Sequence, residues 1–201
     1  MLYLANSLHS IFPVMRLNLS LFWVAFFPLL FFSIASQGQV IKPKKGYSPQ
    51  IGATVAMMED LKQRVTKTVA DLTVEETDFL LDSNANSIGA LILHLAAVEK
   101  YYQVYTFENR GFTKEEKEFW EPAFDLGKSA RSEINNQPIE YYLKIWDEVR
   151  KETLRLLKTK DDKWFAAKVK DSNMNNHWAW YHVMEHQANH MGQMRLIIKR
   201  M

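Results

Sequence analysis

An all-α fold, a four-helix bundle preceded by an N-terminal signal peptide, is what this 201-residue sequence predicts. Three observations carry the prediction. Four segments of about twenty residues place apolar side chains at steps of three and four, the spacing that gives a helix one apolar face. The stretches between them are rich in Asn, Ser, Asp, Pro and Gly, residues that end helices or cap them. Four such helices fill the last 150 or so residues, and each must bury its stripe against the others.

The amino end stands apart. Residues 17–35 (LNLSLFWVAFFPLLFFSIA) carry no charge, Arg16 precedes them, and small and polar residues follow. A basic flank, an apolar run and a small-residue exit predict a signal peptide over residues 1–38. The first fourteen residues fit that plan poorly, whereas a start at Met15 gives Met-Arg and then the apolar run. An uncleaved segment of this length would instead serve as a membrane anchor. Either outcome places the domain outside the cytoplasm, periplasmic or secreted. The absence of cysteine agrees with export and excludes thiolate ligands. Beyond the leader, 24 basic residues face 23 acidic ones, with no basic stripe interleaved with aromatics. That balance argues against a nucleic-acid partner.

Residues 39–49 (QVIKPKKGYSP) read as a linker, and 50–201 as the bundle. The first long helix is expected from Pro49 to Leu72 on Val55, Met58, Leu61, Val65, Val69 and Leu72. VEETDFLL after it predicts a short turn or helix. Asn86 or Ser87 caps the second long helix, which runs to Glu108 with Ile88, Leu91, Leu95, Val98 and Tyr102 inward and Gly111 just past its end. Thr113 and Glu116 have capping-box spacing for a short helix that Pro122 stops. Residues 123–137 are expected to be a long ordered crossover of the kind that covers a site. The third long helix begins at Pro138 and runs to Lys158, with Tyr142, Trp146, Val149, Thr153 and Leu156 inward. KWFAAKVK predicts an extended piece, and DSNMNN caps the fourth long helix, Asn176 to Met201.

Four of the six histidines, His177, His182, His186 and His190, lie within fourteen residues of that last helix. His186 and His190 fall on its apolar stripe with Ala179, Val183, Met194 and Ile197. Residues four apart sit one above the other, about 6 Å along the axis, so two imidazoles there can share one metal ion. H-x3-H alone is weak evidence. His94, in the apolar run LILHLAAV of the second helix, strengthens it, because burying an unpartnered imidazole is costly. A divalent cation satisfies all three rings. The competing reading is three core histidines bonded to backbone, tyrosine or water. His182, a further turn back, drifts off the shared axis and reads as pocket wall or edge residue, and His177 as surface. Glu185 is placed to orient an imidazole or accept a proton. His182 and Glu185 are therefore the candidate catalytic residues. Trp146, Trp178, Trp180 and Tyr181 read as core.

The stretches NSIGALILHLAAVEKYY and HVMEHQANHMGQM resemble the two signatures of the DinB-like superfamily of metal-binding four-helix proteins. Its relatives include thiol-dependent S-transferases and a mycothiol-dependent isomerase. The resemblance implies metal ligands at His94, His186 and His190. It matches Glu99 to an acidic position after the first ligand, and Gly192-Gln193 to the pair that follows the last. Met191 stands where many members have Arg, and Asn189 where many have a further His. The resemblance covers about residues 50–201.

Three neutral nitrogens leave a divalent ion its charge and an open position, the pattern of catalytic sites. Imidazoles suit Zn, Ni or Fe alike. The small-molecule substrate is not legible. Two chemistries follow: hydrolysis of an ester or amide by activated water, or attack by a metal-bound thiolate on an electrophile. The resemblance points to the thiol; the exported address points away from it. A non-catalytic bundle that binds metal or a partner, and dimerises through an exposed helix face, is the alternative. A metal-free bundle is the third.

Overall fold

The computed structural model describes residues 40–201, and these form one compact unit, Val40–Met201. The expected signal peptide, the Met15 start and residue 39 lie outside the described residues. Eight helices follow in order: α1 (Pro49–Val69), α2 (Val74–Asp78), α3 (Ile88–Phe107), α4 (Lys114–Asp125), α5 (Gly127–Glu133), α6 (Ile139–Leu157), α7 (Asp162–Ala166) and α8 (Asn176–Ile198). The four long ones close a ring, α1 beside α8, α8 beside α3, α3 beside α6 and α6 beside α1. α4 lies against α3. Among the described residues, no helix is long and apolar enough to cross a membrane.

Local chemistry sets these boundaries. The Ser87 hydroxyl accepts from the Ala90 amide and starts α3. Asn86 caps nothing there; its side-chain carbonyl takes the Gly127 amide at 2.9 Å and ties down the start of α5. Thr73 and Thr113 each close a capping box, with Glu76 and Glu116. Past the end of α3 it is Asn109, not Gly111, that turns left-handed, at φ 52°. Asp161 caps α7 and Asn175 caps α8.

The stripe on α3 is buried as expected; that on α1 holds to Val69, where the helix ends, and Leu72 beyond it is only half-buried; on α6 the stripe holds until the last turn, where Leu157 rather than Leu156 goes inside. Trp146 and Trp180 are fully buried, whereas Trp178 and Tyr181 stand about half exposed, at 46% and 48%. Two further expectations fail. Residues 123–137 are not a loop: α4 continues through Pro122 to Asp125, and α5 follows. Proline forfeits one helix bond, but Trp120 and Ala123 on either side of it are buried against the core, and that contact holds the helix on course. KWFAAKVK is not extended, since its first half is α7 and only Lys168 bridges to Asn175.

At Gly89, α3 packs directly against Tyr142 of α6. A Cβ at that position would lie 2.7 Å from the Tyr142 ring and 3.1 Å from the Thr77 methyl. Gly89→Ala is therefore expected to destabilise the fold by about 1–3 kcal/mol through overpacking. Urea unfolding checks it, and an unchanged midpoint would show that the interface yields freely.

Candidate metal centre

α3 and α8 bring His94, His186 and His190 together, one nitrogen from each lying within 4.8 Å of the others. His94 comes from a turn of α3 packed under α4 and is only 8% exposed. His186 and His190 come from successive turns of α8 and are half-buried. They flank the core instead of sitting in it. The line that points inward on α8 is Trp180, Val183, Gln187, Met191 and Met194. The two histidines thus stand half-buried at the edge of the stripe, where a purely apolar stripe would place Leu.

The second nitrogens fix the rings. His94 Nδ1 stands 2.8 Å from the Ala123 carbonyl, and His190 Nδ1 stands 2.8 Å from Gln193 Oε1. Both partners are acceptors, so each Nδ1–H donates, and each Nε2 is left with a lone pair. Both lone pairs point at His186 Nε2, at 2.8 Å from His94 and 2.9 Å from His190. That atom carries one proton at most, so it satisfies one neighbour and opposes the other. A cation accepts from all three. Separations near 2.9 Å suit nitrogens side by side on one ion at bonds of about 2.0–2.1 Å. The donor set therefore fits a divalent metal better than it fits a proton-bonded core cluster. The expected crossover supplies part of this geometry, because Ala123 of α4 orients the first ring.

Electrostatics agree. Burial pushes His94 down to about 4, and burial with the neighbouring imidazoles pushes His186 down to about 3. Burial lowers His190 as well. His94 and His186 are thus neutral well below pH 7, and with His190 shifted the same way all three are ready to ligate. The unfolded chain takes up protons near pH 6.5 that the folded rings refuse, so it binds more protons and folding weakens as pH falls. Chelator-treated protein is expected to lose melting temperature steadily from about pH 6.5 towards 4. A flat profile over that window would contradict the burial of these rings.

His182 and Glu185 stand beside the cluster, not in it. His182 Nδ1 lies 3.2 Å from Glu185 Oε2, and the Asn189 amide donates to Glu185. The His182 ring stacks on Trp178 and meets the His186 ring edge-on at 5.2 Å. His177 stacks on Phe165 at the surface. Glu99, matched by resemblance to a position near the first ligand, turns away from the cluster. It is fully buried and bound by both Arg150 and Trp146. Sequence reading missed Arg150 altogether, since one arginine on an amphipathic helix looks like solvent face. It also missed Ala123, because a backbone carbonyl leaves no trace in residue type.

A closed ring of four helices with three imidazoles converging between two of them defines the DinB-like class of bundles. Within that class, the family model described as MST: Mycothiol-S-transferase matches residues 53–200, and the chain belongs to that family. No curated protein matches the chain.

Proposed function

We propose that this chain is a metal-dependent S-transferase that joins a low-molecular-weight thiol, mycothiol or a close analogue, to a small electrophile. The observation that carries the reading is the trio of Nε2 atoms, two of them locked as acceptors by Ala123 and Gln193. Family membership supports the choice of thiol transfer over hydrolysis. In this reading His94, His186 and His190 hold one divalent ion, which would keep a thiol in its thiolate form. The sulfur forms a bond to an electrophilic carbon while the leaving group departs with its electron pair, and the thiol proton passes to solvent. His182 and Glu185, paired one turn from the triad, are the candidates for conducting that proton.

The leader-like run of residues 17–35 supports a second element of the proposal, that the bundle works outside the cytoplasm. The thiol must then be supplied there. N-terminal sequencing of native protein from the exported fraction tests this, and full recovery in the cytoplasm with residue 1 or 15 intact would overturn it.

The function is tested with metal-loaded protein, mycothiol and a panel of alkyl and aryl halides. Thioether formation should fall at least about 100-fold in His190→Ala. No turnover above the thiol's own reaction, or turnover unaffected by that substitution, would refute the reading.

A further inference from the structure

Between α3 and α4 lies a cleft of about 370 Å³, lined in part by Tyr101, Phe112 and Phe124. Three rings form its apolar part. Tyr101 meets Phe112 at 5.4 Å and Phe124 at 5.3 Å, and Phe112 meets Phe124 at 6.0 Å, every pair tilted or edge-on. All three are half-buried, so they form a corner open on one side and not a sealed core. Lys117, Glu121 and Asp125 stand at its charged rim.

Two observations bring the cleft near the triad. Phe124 and Asp125 follow directly on Ala123, whose carbonyl orients His94, and Asp125 is near enough for its charge to act on that ring. Tyr101 lies seven residues beyond His94 on α3, on nearly the same face and about 10 Å along the axis. A ligand of one or two rings bridges that distance. The volume lies in the range of small-ligand sites.

Aromatic faces are electron-rich and their edges electron-poor, so rings presented at an angle favour a planar guest of opposite polarity. We propose that this corner holds the electron-poor aromatic group of the electrophile, with its reactive carbon directed at the triad. The proposal names the substrate class of the transferase reading and rests on that reading for its purpose, though not for its test.

Dinitrobenzene is the probe: electron-poor and planar, it lacks a leaving group. Its binding to the metal-loaded full chain is measured by ligand-observed NMR and calorimetry. Saturable binding is expected, weakened about 5-fold or more by Phe112→Ala and by the milder Phe112→Leu, with metal content unchanged. Phe119→Ala, on the exposed side of α4, should leave it unaltered. No saturable binding, or equal affinity in the Phe112 variants, overturns the proposal. Because no bond forms, binding without any thiol transfer would sink only the transferase reading. Transfer without dinitrobenzene binding would sink only this one.

Discussion

His186→Ala is expected to cost the protein more than about 100-fold in affinity for a divalent ion, and with it any turnover. His186 is the one imidazole whose Nε2 faces both of the others, at 2.8 and 2.9 Å. Its removal leaves two nitrogens across a gap. The fold should survive, because the ring is half-buried and lies outside the inward line of α8. The metal-free variant should even resist acid better than the parent, having lost a ring that refuses protons until about pH 3. Zinc titration with a competing chromophoric chelator measures the first effect, and melting curves at pH 5 and 7 the second. Retained affinity would mean that the ion sits elsewhere.

The second large effect lies on the other side of α3. Arg150 is 3% exposed. Its guanidinium makes a two-bond fork with Glu99, Nε to Oε1 at 2.7 Å and Nη2 to Oε2 at 2.8 Å. Nη1 also donates to the Met58 carbonyl and to Glu59. One side chain thereby ties α6 to α3 and α1. Glu99→Ala leaves the buried cation short of its main partner and should destabilise the chain by about 3–5 kcal/mol. Replacing both, as Glu99→Leu with Arg150→Met, should recover much of that loss, since breaking the pair costs more than the pair contributes. Urea melts of the two single variants and the double variant form the cycle. A double variant as unstable as the sum of the singles would show that the two side chains do not act through each other, and would contradict this account.

What the sequence made legible is the physics that repeats. Apolar side chains every three or four residues located α1, α3, α6 and α8, because each helix must bury a stripe. Ser87, Thr113 and Asn175 signalled helix starts, because their side chains replace a missing backbone partner. The convergence of His94 with His186 and His190 was readable because a histidine in an apolar run demands a partner. Less legible was whatever depends on a single contact at a distance. Pro122 looked like a stop, and buried Trp120 and Ala123 override it. Glu99 was matched only to an acidic position after the first ligand, and its real partner, Arg150, lies fifty-one residues on. His186 and His190 were counted among core positions, yet Gln187 and Met191 one residue later point inward. A rotation of about 100° per residue moves the ligand row to the edge of the buried stripe, and periodicity alone does not fix which row that is.

X-ray absorption of the protein loaded with one equivalent of zinc, after chelator treatment and reloading, tests most directly whether three imidazoles share an ion. The geometry here predicts one ion per chain with three histidine nitrogens at about 2.0–2.1 Å, reduced to two in His94→Ala. An ion lost on dialysis, or a shell of oxygens unchanged by that substitution, would contradict it.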